Sequence, residues 1–551
     1  MTWHYDADVV IVGAGGAALA AAVAAVHEGV SVLLLEAGPQ PGGTASISGG
    51  AFWIPNNSLM RAQGLTDPRP DALKLMARLS YPSLYDPAAP HLGLPKREYD
   101  LLTAFYDHGS DVIDELTQLG ALFPIIYPGF GFSPSPISDP DYHAGLPENV
   151  SPYGRVLGNA PPGLVGWPGY LLTQSMIDWL QARHVPIRTN HRVVGAIQKK
   201  DGEVVGVEIE HNGVRKRARA RRAVVFATGG FSHARGKVLG LQRGPLFGTG
   251  SVPTGKGDFL DIAASLGAAI GNLSNGFYFQ LAIEEAAAQN GHVTNMGAIA
   301  FGVYGDSTIL VNKYGRRCVN EKMPYHVRAQ SHFLALGTDE PNLVQFMIWD
   351  EAVAQEPTSW PWRGVVPAPG TLPPFVVKAN TRTALAAAID ARLNALRGQR
   401  FAASGVVPSV KLDPNFVTSL DATIARFNGF AATGVDLDFQ RGATSFENAW
   451  QGPSRSVTAN RTMYPMSASG PYYAVILGAG TLDTCGGPII GTNGRVLRPD
   501  GTGIPGLFGA GNCIASPAGR GYWGAGGTIG PALVFGFLAG KKAAHEPVHP
   551  L

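Results

Sequence analysis

Charged residues are scarce in this sequence. Asp, Glu, Lys and Arg make up 15% of the 551 residues, whereas about a quarter is typical of globular proteins. The 43 Lys and Arg residues nearly balance the 41 Asp and Glu residues, the formal net charge is +2, and no long block of either sign occurs. Proteins that bind nucleic acid or anionic membranes through a charged face carry a basic cluster. The charge pattern therefore argues against both classes and indicates a small-molecule partner.

Cysteine is also rare. The three cysteines, Cys318, Cys485 and Cys513, lie far apart in the chain and form no C-x-x-C pair. A disulfide framework, a structural zinc site and a redox-active dithiol all require closely spaced or multiple cysteines. We therefore predict no metal site and interpret all three thiols as buried or inert.

Long apolar runs are missing as well. The longest run near the end of the chain, residues 529–540, has about half of the roughly 20 residues needed to cross a bilayer and contains Pro531. Residues 1–8 lead directly into V-V-I-V-G without the features of a secretory signal. We expect a cytoplasmic protein without a transmembrane helix. The sequence leaves open its oligomeric state and any peripheral contact with a membrane.

Glycine, in contrast, is abundant. The chain has 71 glycines, and 45% of its residues are hydrophobic. This composition argues against disorder and indicates that glycine shapes the backbone at specific sites. At about 100–200 residues per domain, the length provides for two to four domain-sized units with a large buried core.

The beginning of the chain has the pattern of a nucleotide-binding βαβ unit. Residues 8–12, D-V-V-I-V, are typical of a buried parallel strand, and the glycine turn 13–18, G-A-G-G-A-A, follows. An Ala-rich helix then extends to about His27, and a second buried strand at 30–35 ends at Glu36. Because strand, turn, helix and acid occur together, the pattern predicts a dinucleotide site.

Individual residues of this unit have distinct roles. Gly13 permits the tight turn, Gly15 lets the backbone approach a pyrophosphate at the helix N-terminus, and Ala18 permits close packing of helix and strand. Glu36 stands about 20 residues after the turn, where an acid accepts hydrogen bonds from a ribose. An acid at this position disfavours a 2′-phosphate on that ribose.

A second, separate part of the nucleotide domain is predicted near the middle of the chain. Residues 222–230, R-A-V-V-F-A-T-G-G, are typical of a short apolar strand closed by glycines. Two strand-like segments precede it, 193–198 and 204–210, joined by the turn Lys200-Asp201-Gly202. These two segments predict an antiparallel pair.

Another glycine-rich pattern, residues 524–530, is not predicted to bind a nucleotide, because no β-branched strand precedes it. Pro531 and the apolar residues 532–539 predict instead a helix that begins near Thr528, since proline is harmless in the first helical turn. The positive end of this helix is expected to face an electron-rich group.

Taken together, these motifs resemble those of FAD-dependent oxidoreductases of the fumarate reductase and 3-ketosteroid Δ1-dehydrogenase type. The resemblance extends over nearly the whole chain. The matching segments are G-A-G-G-A-A at 13–18, P-G-G-T at 41–44, S-G-G at 48–50, W-I-P-N-N at 53–57, A-T-G-G at 227–230, G-K-G-D at 255–258, G-R-R-C-V-N-E at 315–321, A-R-F-N-G-F-A-A-T-G-V-D-L-D-F at 425–439, P-Y-Y-A-V at 471–475 and G-L-F-G-A-G-N at 506–512.

The resemblance implies an α/β fold with FAD as the cofactor. A discontinuous, Rossmann-like FAD-binding domain, residues 1–275 and 484–551, is expected to carry an inserted α+β catalytic domain, residues 276–483. Covalent members of the family have a His at the position of Gly43, so we expect FAD to be non-covalent here. The FAD-binding residues that the resemblance implies are Gly13, Gly15, Gly16, Ala17, Glu36, Ala37, Gly43, Thr44, Ser48, Gly49, Gly50, Ala227, Thr228, Gly229, Asp258, Gly511, Asn512, Thr528 and Ile529.

Within this family the chain resembles the ketosteroid branch more than the dicarboxylate branch. The dicarboxylate branch uses Arg and His, and its C-terminal H-G-A-N-R-L-G-G-N type segment is absent here. The ketosteroid branch uses tyrosines, and Tyr522 in G-Y-W-G-A-G, Tyr325 in N-E-K-M-P-Y and Tyr142 in P-D-Y-H stand at matching places. Trp523 and His143 depart from the pattern of the branch and leave the substrate open. We interpret His143 as a surface residue and not as a proton relay.

The resemblance implies dehydrogenation between the α- and β-carbons of a cyclic ketone, with a 3-ketosteroid oxidised at its 1,2-bond as the leading substrate. Such a reaction requires polarisation of the ketone oxygen, a base for the α-proton and a hydride acceptor at the β-carbon. By the resemblance, the Tyr522 hydroxyl and the Gly526 N–H polarise the ketone, Tyr325 takes the proton and flavin N5 takes the hydride. Because a free phenol has a pKa near 10, Tyr142 is expected to stabilise the Tyr325 phenolate.

Three alternatives stay open at this point. The same tyrosines could act on a smaller ketone of the cyclohexanone type, or the site could work in the opposite direction as a fumarate-reductase-like ene-reductase. A flavin-binding electron carrier is an alternative from a different class. A quinone-like electron acceptor is expected in each oxidative case, because no nicotinamide site is visible in the sequence.

Overall fold

The computed structural model describes residues 2–129, 140–334, 339–357, 363–399 and 409–549. The strands are β1 Tyr5–Val12, β2 Val32–Leu35, β3 Phe52–Trp53, β4 Pro124–Ile126, β5 Val156–Asn159, β6 Ile187–Arg188, β7 Arg192–Gln198, β8 Val204–His211, β9 Val214–Phe226, β10 Gly248–Thr249, β11 Ile270–Gly271, β12 Gly276–Ala282, β13 Ile309–Val311, β14 Gln345–Asp350, β15 Val376–Ala379, β16 Tyr472–Thr484, β17 Gly487–Pro488, β18 Arg495–Leu497 and β19 Gly503–Gly509. The α-helices are α1 Gly16–His27, α2 Gly43–Ile47, α3 Ser58–Ala62, α4 Arg69–Ser80, α5 Lys96–Gln118, α6 Pro168–Gln181, α7 Arg235–Leu241, α8 Asp258–Ser265, α9 Ile283–Ala288, α10 Tyr325–Ala329, α11 Glu351–Ala354, α12 Arg382–Leu396, α13 Phe416–Thr433, α14 Ser445–Ala449 and α15 Ile529–Ala544. Short 3₁₀ helices occur at Pro90–Gly93, Met296–Ala298, Gln330–Phe333 and Gly511–Cys513.

An eight-stranded sheet contains the predicted βαβ unit. Its strands lie in the order β18-β19-β9-β1-β2-β6, with β8 beside β9 and β7 beside β8. Strand β1 pairs in parallel with β2 and with β9, and β9 pairs in parallel with β19. Helix α1 connects β1 to β2 and ends at His27, as predicted, whereas β2 begins at Val32 and not at residue 30.

The predicted antiparallel pair is confirmed as β7 and β8. The strand predicted at 222–230 differs in its bounds, because β9 begins at Val214 and ends at Phe226. The first half of β9 pairs with β8 and is rich in Arg and Lys, a composition that an apolar-run criterion overlooks. Residues 227–230 follow β9 outside any strand.

The carboxyl ends of the parallel strands meet at one edge of this sheet. Val12 at the end of β1 is paired with Leu35 of β2 and with Phe226 of β9, and Phe226 is paired with Gly509 of β19. The segments that follow these strands therefore emerge side by side. In parallel sheets a ligand binds at this edge, where the strand order reverses.

The last helix packs directly on the first. A Cβ on Gly536 of α15 would lie 2.3 Å from the Ala17 carbonyl oxygen of α1, so the two backbones are in close contact. The C-terminal helix thus covers the same nucleotide-binding unit that the N-terminal strand begins. None of the helices within the described ranges is long and apolar enough to cross a membrane.

We expect Gly536→Ala to lower the free energy of unfolding by about 1–3 kcal/mol, because the new methyl group forces the α1 and α15 backbones apart. Gly429 is the matched control, since it lies exposed within α13 and a Cβ there would meet nothing within 4 Å. Gly429→Ala is expected to raise the free energy of unfolding by up to about 1 kcal/mol through helix propensity. Urea unfolding followed by circular dichroism measures both changes, and equal effects would contradict the packing explanation.

A second, six-stranded sheet is built around β16. Strands β10, β12, β14 and β15 all pair with β16, and β13 pairs with β14. Strand β12 begins at Gly276 and β16 ends at Thr484, while β10 comes from residues 248–249. The boundaries of an inserted domain at 276 and 483 stay a prediction. Helix α10, which carries Tyr325 at its start, packs against β12 of this sheet.

Candidate active site

The predicted FAD-binding residues lie mainly at the carboxyl edge of the parallel strands and at the start of helices. They are found at the start of α1 (Gly13, Gly15, Gly16, Ala17), after β2 (Glu36, Ala37), in and after α2 (Gly43, Thr44, Ser48, Gly49, Gly50), after β9 (Ala227, Thr228, Gly229), at the start of α8 (Asp258), in the last 3₁₀ helix (Gly511, Asn512) and at the start of α15 (Thr528, Ile529). The structure brings the turns after β1, β2, β9 and β19 together through strand pairing.

Glu36 is bonded to the glycine turn. Its carboxylate accepts the Ala14 N–H at 2.9 Å on one oxygen and the Gly38 N–H at 2.6 Å on the other. Burial raises the pKa of Glu36, and these N–H groups and the charge of Arg192 oppose the rise. A carboxylate oxygen has two lone pairs, so each oxygen of Glu36 retains acceptor capacity for a ribose hydroxyl.

Asp258 is connected to the surroundings of Glu36 through Arg192, a residue that no sequence motif indicated. Its carboxylate pairs with Arg192 of β7 at 2.7 Å, and Arg192 in turn favours the ionised form of Glu36. Arg192 and Asp258 are only partly exposed. Their separation in the chain explains why no local pattern identified Arg192.

The residues at this edge fit FAD. The Thr228 hydroxyl oxygen is buried beside the Cys513 thiol and has no nitrogen or oxygen partner among the described residues. Helices α1 and α15 both begin without a side-chain cap, and their first N–H groups provide positive ends for phosphates and polar rings. An unsatisfied hydroxyl and two uncapped helix starts match a large ligand that carries both phosphates and a heterocycle.

Tyr325 and Tyr522 form a buried hydrogen-bonded pair. Their hydroxyl oxygens lie 2.9 Å apart, and the side chains are 6% and 4% exposed. The ring of Tyr142 lies edge-on to Tyr325, with ring centroids 5.5 Å apart, and 5.9 Å from the ring of Tyr522. The structure therefore brings together the three tyrosines that the resemblance singled out.

The two hydroxyls differ in how well they hold negative charge. Burial raises the pKa of Tyr325 well above its ordinary value, and both neighbouring tyrosines add to the rise. Burial also raises the pKa of Tyr522, but Tyr325 and the backbone N–H of Gly526 oppose that rise. Tyr142, expected to lower the pKa of Tyr325, raises it instead, because neighbouring phenols compete for one negative charge.

Gly526 lies directly against the strand segment before Trp53. Its φ is +82°, and a Cβ at this position would lie 2.5 Å from backbone atoms of Ala51 and Phe52. The Gly526 carbonyl accepts the Trp53 N–H at 3.1 Å. Only glycine fits this close approach, which fixes the Gly526 N–H beside the Tyr522 hydroxyl. A substitution of Gly526 would displace the backbone and could not isolate the role of its N–H.

Aromatic side chains surround the three tyrosines. Phe446 and Trp450 lie against Tyr142 with ring centroids 5.2 Å and 5.7 Å away. Two further rings complete the surround, Phe301 at 4.8 Å from Tyr325 and Phe277 at 5.6 Å from Tyr522. No motif pointed to these residues, because they come from separate segments and are brought together only by packing.

His143 is partly buried and contacts the site, so the interpretation of it as a surface residue was incomplete. Its ring nitrogen Nε2 lies 3.0 Å from the carbonyl oxygen of Tyr522, and burial lowers its pKa to about 4. A histidine with this pKa is neutral at physiological pH. The contact depends on the packing of residues that are far apart in the chain, which is why the sequence did not indicate it.

A buried ionic network supports the segment that carries Tyr142. Arg155 is fully buried and donates to both oxygens of Asp67 at 2.7 Å and to Asp141 at 2.7 Å. Asp141 immediately precedes Tyr142 and also accepts the indole N–H of Trp53 at 3.3 Å. Burial raises the pKa of Asp141 to about 6, while Arg155 opposes the rise. The P-D-Y-H motif contained Asp141, but nothing in the sequence indicated its partner.

The cysteines take no part in the site. All three are free thiols, with Cys485 and Cys513 buried and Cys318 partly buried. Burial raises the pKa of each thiol, to about 11 for Cys513. A thiol protonated at neutral pH is a poor nucleophile, which agrees with the interpretation of these residues as inert.

Comparison with known proteins identifies the family. A protein-family model described as "FAD binding domain" matches residues 8–529, nearly the whole chain. The chain belongs to this FAD-binding family. It is an FAD-dependent oxidoreductase, and FAD is its cofactor.

This FAD-binding protein is similar to enzymes that oxidise ketones. It is 27% identical to the 3-oxosteroid 1-dehydrogenase of Mycolicibacterium smegmatis over 98% of this chain and 97% of that protein. It is 28% identical to the 4-oxocyclohexanecarboxylate 2-dehydrogenase of Sinomonas cyclohexanicum over 98% of this chain and 93% of that protein. A crystal structure of a 3-ketosteroid Δ1-dehydrogenase from Sterolibacterium denitrificans matches with a TM-score of 0.78 and 23% identity over 98% of this chain and 99% of that chain. The predicted α/β FAD-binding fold is thereby confirmed.

Proposed function

We propose that this protein introduces a double bond α,β to the carbonyl of a cyclic ketone, with a 3-ketosteroid oxidised at its 1,2-bond as the substrate. The observation that carries the proposal is the buried pair of Tyr325 and Tyr522, with hydroxyl oxygens 2.9 Å apart in an aromatic surround. Two phenolic hydroxyls beside a fixed backbone N–H provide the donors and the proton acceptor that enolate formation needs. The similarity to 3-oxosteroid 1-dehydrogenases supports the same conclusion.

In this proposal Tyr522 and Gly526 bind the ketone oxygen. The Tyr522 hydroxyl and the Gly526 N–H each donate a hydrogen bond to it, which stabilises negative charge as the α-proton leaves. The Tyr325 phenolate takes that proton, and its O–H bond forms as the α C–H bond breaks. Bound FAD would supply the acceptor for the hydride that leaves the β-carbon. The ketone becomes the enone, and Tyr325 ends the step protonated.

Tyr325 must lose its proton before it can act as a base. Its ring lies edge-on to Tyr142, which in this arrangement adds to the rise of the Tyr325 pKa. We propose that the Tyr142 hydroxyl must turn to donate a hydrogen bond to the Tyr325 oxygen before it can assist this loss. The aromatic surround excludes water from the pair, which strengthens the hydrogen bonds to the ketone but raises the pKa of Tyr325.

We expect the rate of ketone-dependent flavin reduction to rise with pH. Because the pKa of Tyr325 lies well above 10, the phenolate fraction increases about tenfold for each pH unit below that pKa. Stopped-flow measurements between about pH 6 and pH 9 should therefore give a logarithmic rate with a slope near one. A rate that is independent of pH over this range would exclude a titrating Tyr325 as the base.

Two features of the cofactor are also part of the proposal. Gly43 offers no side chain for a covalent bond to FAD, so the cofactor is held by non-covalent contacts alone. Acid precipitation should then release all flavin into the supernatant, and flavin retained in the pellet would contradict this. We also propose a quinone-like compound as the final electron acceptor, since no nicotinamide site is visible in the sequence.

A smaller ketone is the second candidate substrate. The rings of Phe446 and Trp450 lie directly beside Tyr142 and offer apolar ring surface against which a single six-membered ring could also pack. The similarity to a 4-oxocyclohexanecarboxylate 2-dehydrogenase supports this candidate. The tyrosines would have the same roles with either substrate.

Anaerobic flavin reduction tests the proposed function. A 3-ketosteroid with a saturated ring A, a 4-ene-3-ketosteroid, cyclohexanone and 4-oxocyclohexanecarboxylate are added separately while the oxidised-flavin absorption is followed. Bleaching by a steroid supports the leading substrate, and bleaching only by a single-ring ketone supports the second. If no ketone bleaches the flavin but dithionite-reduced enzyme is reoxidised by an enone or by fumarate, the protein is an ene-reductase. No reaction with any of them would favour an electron carrier.

A further inference from the structure

The protonation of His326 is determined by its two hydrogen bonds. Its Nδ1 receives the backbone N–H of Tyr278 at 3.1 Å, and its Nε2 lies 3.0 Å from the carbonyl oxygen of Arg520. A backbone N–H can only donate and a carbonyl can only accept. His326 is therefore the neutral tautomer with its proton on Nε2, and it links the start of α10 to both β12 and the segment at 520.

His143 makes the corresponding contact on the other side of the same segment. Its Nε2 lies 3.0 Å from the carbonyl oxygen of Tyr522. This nitrogen must also carry the proton, since the carbonyl only accepts. The carbonyl groups of residues 520 and 522 are thus held by two histidine N–H groups that come from distant parts of the chain.

Each of these histidines directly follows one of the other two tyrosines of the site. Tyr142 precedes His143, and Tyr325 precedes His326. A shift of the 520–522 backbone away from the segment that carries Tyr142 or Tyr325 would therefore stretch one of the two histidine hydrogen bonds. The three tyrosine rings are 5.5 to 5.9 Å apart, and the two histidine contacts connect the backbone segments that carry these rings.

We propose that His143 and His326 are positioning residues that hold the Tyr522 hydroxyl at hydrogen-bond distance from Tyr325. This inference rests on the proposed function, because these hydroxyls are the groups that would polarise and deprotonate the ketone. Neither histidine acts as a proton relay. Both nitrogens of His326 are occupied by backbone groups, and burial keeps both rings neutral with pKa values of about 4.

The variants His326→Phe and His143→Phe separate positioning from packing. Phenylalanine retains a ring that can stack, as His326 does on Tyr278 and against Tyr522, but it has no nitrogen to bind a carbonyl. The variants His326→Gln and His143→Gln restore an N–H donor without the ring. If a Phe variant does not fold, the Gln variant at the same position is measured in its place.

His332 provides the matched control. It is fully buried, its pKa is also lowered to about 4, and its ring nitrogens contact Gln280 and the Leu343 carbonyl. It has no recorded contact with residues 520–522 among the described residues. His332→Phe should lower the melting temperature and leave the kinetics of flavin reduction unchanged.

Two kinetic and spectroscopic measurements test the inference. We expect His326→Phe to lower kcat about 10- to 100-fold, with KM changed less than about threefold, since misplacement by about 1 Å has effects of this size. The infrared carbonyl stretch of bound 1,4-androstadiene-3,17-dione should shift toward its value in solution, because polarisation by Tyr522 is lost. His143→Phe should act in the same direction, and the Gln variants should recover most of the rate.

A crystal structure of each Phe variant gives a readout that does not depend on turnover. The distance between the Tyr325 and Tyr522 hydroxyl oxygens is expected to exceed hydrogen-bond length. If it stays at the unmodified value, with kcat and the carbonyl stretch also unchanged, the positioning role is overturned. If the distance increases but the unmodified enzyme reduces no flavin with any ketone, the proposed function fails and the positioning role stands.

Discussion

Replacing Tyr325 by phenylalanine is expected to lower ketone-dependent flavin reduction by about 10²- to 10⁴-fold, the usual contribution of a positioned general base. The hydroxyl of Tyr325 donates to Tyr522 at 2.9 Å and has no other proposed role than proton transfer. FAD binding should be unaffected, because the predicted FAD contacts lie at the carboxyl edge of the parallel strands and at helix starts outside α10.

Single-turnover stopped-flow absorbance measures this loss, and the flavin content of the purified variant measures FAD binding. Tyr472→Phe is the matched control, since Tyr472 is also a buried tyrosine whose hydroxyl donates to a neighbour, the Ser467 carbonyl at 3.0 Å. Tyr472 is the first residue of β16 in the second sheet. A Tyr325→Phe enzyme that reduces flavin as fast as Tyr472→Phe would remove Tyr325 from the mechanism.

Replacing Arg155 by leucine is expected to lower the free energy of unfolding by about 3–5 kcal/mol. The change leaves the carboxylates of Asp67 and Asp141 buried without their cation, and breaking a buried ion pair from one side has effects of this size. Because Asp141 precedes Tyr142, the variant should also disturb the tyrosine site. Chemical denaturation measures the stability change.

Arg69→Leu is the control for this prediction. Arg69 also binds one carboxylate with two nitrogens, at 2.7 and 2.9 Å from Asp107, but the pair is exposed. Exposed pairs contribute about 0–1 kcal/mol, so Arg69→Leu should change stability little. Similar losses in both variants would show that burial is not the cause.

The loss of stability that Arg155→Leu causes should depend on pH. Arg155 opposes the rise that burial causes in the pKa of Asp141, so without the guanidinium this pKa moves further above the unfolded value near 3.9. Between the unfolded and the folded pKa the folded variant binds more protons than the unfolded chain, so its stability falls as pH rises. The deficit relative to the unmodified protein should therefore be largest at neutral pH and smaller near about pH 5. A deficit that grows on acidification would contradict this explanation.

The nucleotide-binding unit could be predicted because its signals are local. The strand, turn, helix and acid of residues 8–36 each follow from a short-range pattern of burial and backbone freedom, and the structure has them as β1, α1, β2 and Glu36. Errors arose where burial did not follow the local pattern. The basic residues of the first half of β9 concealed a strand, because β9 pairs with β8 there and tolerates polar side chains.

The three tyrosines of the site could be selected from the sequence only through resemblance to a family. Nothing in the spacing of Tyr142, Tyr325 and Tyr522 places them in contact, and an isolated buried tyrosine is far more often a packing residue. The interpretation of His143 was incomplete for the same reason, since its partner is a backbone carbonyl that lies 379 positions away in the chain.

The sequence by itself determined the nucleotide-binding βαβ unit, since its signals lie within a few tens of residues, and resemblance to a family added FAD and the candidate tyrosines. Only the tertiary structure determined which hydroxyl groups form hydrogen bonds with each other. The Tyr325–Tyr522 hydrogen bond joins residues 197 positions apart, and Arg155 and Asp67 are 88 positions apart. Contacts of this kind depend on how two sheets and their connecting segments pack, and close packing settles distances to fractions of an ångström. Periodicity within a segment carries no information about that packing.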